Sequence, residues 1–428
     1  MFISRSSLWS RLDCVHAEKA HAYFERSGSS LINLRLWGGA NQSTLDTFLQ
    51  IIPQAIGRLK SLLIFADPEI LQAVMPHLPH PAPFLEKLDL LCGDYEEPRV
   101  RSTIFDGDLS SLRELRLEHV RTELPWRNMI NLTSFTLGYI PVGDFGQLLD
   151  FFESAPRLRD IELLYAILVS YGGNKRLVSL DHLEKLVIID CGPTSTFLDQ
   201  LVIPAGARLV IQIGRGAFKI KDHIPRSLNN LKNLSSITKI CLRLDVSLSP
   251  SLRLNGPDGE LYIVISHIGT LLVFESLALF DTSKTERLRI NSCSGPLYRE
   301  SPYRALLAMK NLRTLALSRF TDLSCAFMDI LNPNTSPSKE VVCPSLEELV
   351  FVRPRGSFDG DGEKFDMRAV IEMVAARAAR GVKLGTVRDQ AKLDPADVLE
   401  LRKHVSHVEC GHKVALYEDG SDSGDWEE

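Results

Sequence analysis

The sequence predicts an α/β fold in which one short structural unit repeats along the chain. Of its 428 residues, 44% are hydrophobic and 24% are charged, the composition of an ordinary globular protein. One apolar pattern recurs at short intervals along most of this length. We therefore expect a solenoid rather than the roughly two or three compact domains that the length alone would suggest.

The recurring pattern has an apolar residue, two variable residues, an apolar residue, one variable residue and a third apolar residue. About twelve copies occur; their first residues lie 20 to 38 apart, and the mean spacing of about 29 is at the upper edge of the leucine-rich-repeat range. Such a unit forms a short parallel strand, then a turn and a helix or 3-10 segment, and buries its apolar side against its neighbours. The copies begin at Leu31, Leu59, Leu85, Leu112, Leu132, Leu158, Leu183, Ile237, Phe274, Leu312 and Leu346, and a degenerate copy ends in Leu209 and Ile211.

We predict from this pattern an irregular leucine-rich-repeat solenoid, a horseshoe with short parallel strands on the concave face and helices or 3-10 turns on the convex face. Irregularity is expected because the asparagine that regular repeats place three residues after the last leucine is absent. That position holds Val120, Ile140, Ala166, Cys191 and Phe320.

The two ends of the chain depart from the repeat. Ala17 to Arg26 has the pattern of a short helix that stops near Gly28, and Met367 to Arg380 that of a helix followed by Gly381. A second C-terminal helix is predicted to start at Asp394-Pro395, a cap followed by proline. The predicted parts are residues 1–30 with a capping helix, the solenoid at 31–357, a helical cap at 358–416 and a disordered acidic tail at 417–428.

Short phrases at both ends give the chain a family resemblance. Ser7 to Ser10 reads Ser-Leu-Trp-Ser, and Glu25 to Ser29 reads Glu-Arg-Ser-Gly-Ser just before the first repeat. With Met373 to Val382, Leu401 to Val405 and the acidic tail containing Trp426, the chain resembles fungal F-box proteins with C-terminal leucine-rich repeats. The resemblance implies that residues 1–30 include the end of an F-box and that the repeats capture a target for a cullin-RING ubiquitin ligase.

In that family the F-box helices that hold the Skp-type adaptor would precede Ser7, where six residues stand. We expect either a truncated gene model or a paralogue that lost its F-box, so the adaptor is a partner only if an F-box is supplied upstream.

The predicted function is non-enzymatic binding of an unknown protein substrate on the concave face. The alternative is a stand-alone scaffold with no ligase connection, and a distant third is a hydrolase whose site is not recognisable. Variable positions of the strands face that concave side and carry both signs of charge, as suits a protein ligand. A candidate phosphorylation site is Ser423, in an acidic phrase resembling a phosphodegron. The candidate partner-binding residues are Arg113, Arg116, Thr136, Arg159, Glu162, Lys185, Arg313 and Glu348.

Other ligand classes are not expected. The net charge of −5 and the lack of a basic run argue against nucleic acid. Eight cysteines without a CxxC pair, and an N-terminus without a secretory signal, favour the cytoplasm and/or nucleus. Leu261 to Phe280 is interrupted by His267 and Glu275, so we predict a core helix running into a buried strand rather than a membrane span.

No cofactor or metal is predicted. The acidic loop Asp359 to Glu363 begins like a calcium loop, but Lys364 takes the place of the required glycine. Gly214-Arg215-Gly216 lacks the third glycine of a dinucleotide fingerprint. Cys410-Gly411-His412 offers two zinc ligands where four are needed.

Overall fold

The chain forms two compact units, Met1–Asn233 and Leu234–Glu428. Both contain parallel strands and helices, which confirms the α/β prediction. The horseshoe curvature and the boundaries after residues 30, 357 and 416 stay predictions. The structure is a computed structural model that describes residues 6–14, 16–37, 42–93, 98–100, 104–122, 129–140, 145–168, 176–214, 219–244, 249–265, 270–291, 300–318, 321–336, 339–352, 367–390 and 393–411.

The main sheet of the first unit is parallel, and its strands pair in chain order. The second and third apolar residues of each repeat point into the core, as buried Leu115 and Leu117 illustrate. In chain order the main-sheet strands are β1 (Arg11–Asp13), β2 (Ile32–Leu36), β3 (Leu59–Ala66), β4 (Lys87–Cys92), then β6 (Glu114–Glu118), β8 (Ser134–Gly138), β9 (Asp160–Leu164), β11 (Lys185–Ile189) and β13 (Arg208–Ile213); two short parallel pairs accompany them, β5 (Arg99–Val100) with β7 (Arg121–Thr122) and β10 (Val178–Ser179) with β12 (Leu201–Val202).

Helices and 3-10 turns connect these strands, as parallel pairing requires. The predicted N-terminal helix is present and ends at Gly28, whose φ of 52° lies in the left-handed region that glycine favours. Phe135 packs against Phe151 and Phe152, and Phe152 packs against Phe197, so one aromatic cluster joins successive repeats. The helices are α1 (Ala17–Ser27), α2 (Gln42–Ala55), α3 (Pro68–Val74), α4 (Phe145–Ser154) and α5 (Ser195–Leu198).

The positions that hold asparagine in regular repeats are apolar and buried here at Val120, Ile140, Ala166 and Cys191. The residue before each of them has a positive φ, and its N–H donates to a carbonyl at the end of the next strand, which is the last residue of that strand in the first three cases and the second-to-last in the fourth: His119 to Gly138, Tyr139 to Leu164, Tyr165 to Ile189 and Asp190 to Gln212. The left-handed turn therefore extends the backbone ladder by one bond per repeat.

The second unit begins with an antiparallel meander, which the repeat pattern did not predict. The strands are β14 (Lys239–Arg243), β15 (Ser251–Asn255), β16 (Glu260–Ile265), β17 (Arg287–Asn291), β18 (Thr314–Ser318), β19 (Glu348–Val352), β20 (Thr386–Asp389) and β21 (His407–Cys410). β14 pairs with β15, and β15 pairs with β16, both antiparallel. On its other edge β14 pairs with β17, and the sheet then continues parallel through β18, β19, β20 and β21. The helices are α6 (Thr270–Ser276), α7 (Glu300–Ala308), α8 (Thr321–Leu331), α9 (Met367–Ala379) and α10 (Pro395–Leu401).

One predicted strand is wrong. The copy beginning at Phe274 forms α6 and a 3-10 turn, and the strand beside β14 is β17 instead. Thr285 occupies the first apolar position of that true copy; it is fully buried, and its hydroxyl donates to the Ile237 carbonyl at 3.3 Å. The order predicted within Leu261 to Phe280 is also reversed, because the strand β16 precedes the helix α6.

The C-terminal segment contains both predicted helices. Asp394 caps α10 by accepting a hydrogen bond from the Ala396 N–H, and Gly381 follows α9 with a φ of 79°. The same segment also contributes β20 and β21, which continue the parallel sheet beyond β19. The strand repeat therefore continues into the segment that was predicted to be helical.

Candidate functional site

Three predicted site residues lie side by side on the sheet of the first unit. Arg116 on β6 is in register with Thr136 on β8, which is in register with Glu162 on β9. Adjacent parallel strands are about 4.8 Å apart, so these side chains line one row across the sheet. Arg116 is exposed and Thr136 buried, and Glu162 is intermediate.

Lys185 joins this row through an ion pair. Its strand, β11, neighbours β9, and its Nζ lies 2.8 Å from a carboxylate oxygen of Glu162. Arg116 is also paired, because its guanidinium lies 2.7 Å from Glu118 on the same strand. The charged side chains of this face are thus held in place by their neighbours.

Arg113 and Arg159 lie one residue before β6 and β9. Each backbone carbonyl accepts two N–H groups of the next strand, which fixes both residues at the start of the sheet while their side chains remain exposed. The Arg159 guanidinium lies 3.3 Å from the Glu184 carboxylate. Exposed pairs of this kind contribute little to stability, typically about 0.2–1 kcal/mol.

Two further charged residues of β4, Asp89 and Lys87, were among the variable strand positions that the sequence assigns to this face. Asp89 on β4 is in register with Arg116, and its side chain is only 8% exposed. Burial raises the pKa of Asp89, and the charges of Lys87 and Arg116 oppose that shift. Lys87 lies 2.7 Å from Glu114 and 3.7 Å from Asp89, and these carboxylates outweigh the effect of burial and raise the pKa of Lys87.

The other two predicted residues belong to the second unit. Glu348 on β19 accepts a hydrogen bond from the Thr314 hydroxyl at 3.0 Å and pairs with Arg388 at 2.9 Å. Arg313 is exposed and lines a polar cavity of about 480 Å³. The two residues are in neighbouring repeats, and among the described residues only Glu348 has an ion-pair partner.

An aromatic column in the first unit was missed. The rings of His119, Tyr139 and Tyr165 stack in sequence, with centroid distances of 4.4 Å and 4.7 Å. These three residues follow β6, β8 and β9, and both tyrosines are about 40% exposed. The three aromatic residues occupy the same position in three consecutive repeats. This regularity is visible in the sequence and could have predicted the stack, but the search for the leucine pattern did not include it.

Some of the remaining sequence predictions concern residues that the structure does not describe. Ser423, the Asp359 to Glu363 loop, Arg215 and His412 lie outside the described residues. Among the residues that the structure does describe, no group of three or more histidine, cysteine, aspartate or glutamate side chains could hold a metal ion. In the same part of the chain, no helix has the length and apolar character needed to cross a membrane.

Comparisons with known proteins give a limited result. No protein-family model matches the chain. No curated protein matches it significantly. Among solved structures it is similar to one described as the crystal structure of a TLR13–ssRNA13 complex, with 16% sequence identity over 89% of this chain and 48% of that chain, and a TM-score of 0.35. The chain thus spans about half the length of that structure, and a similarity this low carries no argument about function.

Proposed function

We propose that the chain is a non-enzymatic leucine-rich-repeat protein that binds a protein partner on the strand face of its first unit. The observation that carries the proposal is the aligned row of Asp89, Arg116, Thr136 and Glu162, extended by Lys185. Side chains from successive strands form one continuous surface, which is how repeat proteins present a binding face.

The charges on this face favour recognition by pattern. Positive and negative groups alternate from Lys87 to Lys185, and each is already held by an ion pair with a neighbour. A partner must present the complementary pattern, since wrong pairings place like charges together. Nucleic acid is not proposed as a ligand, because a surface of mixed sign releases few counterions, and a membrane is not proposed either.

A finer version of the proposal makes the partner a substrate of a cullin-RING ubiquitin ligase. Its support is the resemblance of Ser7 to Ser10 and Glu25 to Ser29 to phrases of fungal F-box proteins. Recruitment to the ligase through a Skp-type adaptor requires an F-box upstream of Ser7. The competing version is a stand-alone scaffold; recovery of the adaptor with the full-length protein supports the first, and its absence from a correctly folded preparation supports the second.

The binding face is tested by comparing three variants in chemical cross-linking followed by mass spectrometry. Arg116→Gln and Lys185→Gln each remove a charge from the face, and we expect each to reduce recovery of the cross-linked partner severalfold. Arg176→Gln is the matched control, because Arg176 is also ion-paired, but to Asp150 and Glu153 on α4. Equal recovery with all three variants would contradict the proposed face.

A further inference from the structure

The polar cavity in the second unit has a regular construction. An inner set of residues stands immediately before consecutive strands: Thr238, Glu286, Arg313 and Glu347 precede β14, β17, β18 and β19. Their backbones are joined directly, since the N–H of Arg313 donates to the Glu286 carbonyl at 2.8 Å and the N–H of Glu347 to the Arg313 carbonyl at 2.9 Å. An outer set stands two residues earlier in each repeat: Ser236, Lys284, Asn311, Ser345 and Lys383.

The charged side chains of this cavity have no ion-pair partner among the residues that the structure describes. Within the described part of the chain, Lys284, Glu286, Arg313, Glu347 and Lys383 take part in no ion pair. This distinguishes the cavity from the face of the first unit, where Lys87, Arg116 and Lys185 are each held by a carboxylate. Unpaired charges in one hydrophilic cavity leave their full hydrogen-bonding capacity for a ligand.

Within the inner set the sign of the charge alternates from strand to strand. Crossing the sheet from β17 to β19, a ligand meets Glu286, then Arg313, then Glu347. Two lysines of the outer set lie at the ends of this series, Lys284 before β17 and Lys383 before β20. At about 4.8 Å per strand, Glu286 and Glu347 are roughly 10 Å apart, and an extended peptide covers this distance in about three residues. The matching ligand therefore has basic residues three positions apart, with an acidic residue between them and another after the second.

We propose that this cavity, lined by Glu286, Arg313, Glu347 and Lys383, binds an extended peptide segment of a partner protein whose charges alternate in this order. Basic side chains pair with the two glutamates, and acidic side chains pair with Arg313 and Lys383. The hydroxyl groups of Ser236 and Ser345 line the same cavity and can hydrogen-bond the peptide backbone, whereas the Thr238 hydroxyl already donates to the Asn255 carbonyl at 3.4 Å. The inference shares with the proposed function the idea of a protein partner, but it concerns a separate site on the second unit.

Two labelled peptides of identical composition and zero net charge test the pattern by fluorescence anisotropy with the full chain. One has the order lysine-glutamate-serine-lysine-glutamate, and the other groups its charges as lysine-lysine-serine-glutamate-glutamate. Because the first peptide gains several exposed ion pairs, we expect it to bind about tenfold more tightly at low salt, and the difference to shrink at high salt. Equal binding, no binding, or tightest binding of an all-glutamate peptide of the same length overturns the proposal.

Charge reversal then identifies the site. Arg313→Glu should abolish binding of the alternating peptide and restore it for a peptide whose first glutamate is replaced by lysine. Glu347→Lys provides a second variant with the same logic, and a thermal melt establishes that both are folded. Arg157→Glu is the matched control, since Arg157 is an exposed arginine before strand β9 in the first unit, and it should leave the Kd unchanged.

The two proposals fail separately. If the two peptides bind equally, the peptide site on the second unit is rejected. The cross-linking result for Arg116→Gln and Lys185→Gln, which tests the first unit, is unaffected. Conversely, if those variants keep their partner while Arg313→Glu loses the peptide, the second-unit site stands alone.

Discussion

The phenol rings of Tyr139 and Tyr165 stack face to face, with centroids 4.7 Å apart and planes 11° from parallel. The distance matches the spacing of neighbouring strands, because each tyrosine follows the last residue of its strand in the same left-handed backbone conformation. The backbone therefore positions the rings of the aromatic column. At each of these residues the backbone has a left-handed conformation, which residues other than glycine, asparagine and aspartate rarely adopt.

At Tyr139 we predict separate effects of the aromatic ring and of the backbone conformation on the free energy of unfolding. Tyr139→Asn should lose the stacking energy, about 0.5–1.5 kcal/mol, while its short polar side chain tolerates the left-handed turn. Tyr139→Val should lose about 1–2 kcal/mol more, since a β-branched residue resists positive φ. Urea unfolding measures both free energies; equal destabilisation of the two variants would show that the turn carries no strain.

Arg377 is predicted to be a structural residue of the C-terminal helix α9. It is fully buried, and its guanidinium donates to the carbonyls of Val342 at 2.7 Å and Cys343 at 2.8 Å. Arg377→Met keeps the apolar stem but leaves both carbonyls without these donors, so we expect a loss of about 2–4 kcal/mol in the free energy of unfolding. Arg380→Met, at an exposed position just after the same helix, should change it by less than about 0.5 kcal/mol.

Buried thiols are predicted to limit stability at alkaline pH. Burial raises the pKa of Cys14, Cys191 and Cys343 from 9.0 to about 12. Between these values the unfolded chain has released each proton and the folded chain has kept it, so stability is fully present below pH 9 and is lost as pH rises toward 12.

Each thiol contributes up to about 1.4 kcal/mol of this loss per pH unit. Cys14→Ala should therefore flatten the alkaline decline in the free energy of unfolding by that amount. Denaturant titrations at a series of pH values measure the slope, and an unchanged slope would mean that the Cys14 thiol ionises in the folded chain as it does in the unfolded one.

Asp89 is predicted to have the corresponding effect at acid pH. Because burial raises the pKa of Asp89 above its unfolded value, its contribution to stability is present at low pH and is lost as pH rises through the folded pKa. The stability of the parent relative to Asp89→Asn should therefore be greater near pH 4 than at pH 7. The comparison is made by urea unfolding at both pH values, and an opposite sign would show that Lys87 and Arg116 dominate the environment of Asp89.

The repeat could be predicted from sequence wherever leucine or a close substitute marked all three apolar positions. The prediction failed at Thr285. A buried threonine whose hydroxyl is hydrogen-bonded within the core looks the same in a hydropathy pattern as a threonine on the surface. The prediction failed in the opposite direction at Phe274, where helical residues happened to match the strand spacing. Strand β21, with Val405 and Val408 in the pattern, was missed because helix caps nearby suggested a helical end.

The candidate site was predictable only as a set of positions. Spacing predicts that Arg116, Thr136 and Glu162 face the same side of the sheet, since every second residue of a strand does so, whereas the row that they form comes from the strand register. It could not distinguish buried Asp89 from exposed Arg313, because that difference depends on which neighbours cover each side chain. Nor could it show which charges are paired, a property set by side-chain reach across strands.

The aromatic cluster of Phe135, Phe151, Phe152 and Phe197 bears on how the first unit comes apart. In a repeat protein each strand pairs only with the strands of the preceding and following repeats, so cooperative unfolding depends on the interfaces between neighbouring repeats. A single repeat can unfold by itself if its interface with the next repeat is weak. This cluster spans β8, α4 and α5, so it couples the opening of one repeat to that of the next. Fraying from the N-terminal strand is therefore expected to halt where the phenylalanines begin, and hydrogen exchange should be slowest there.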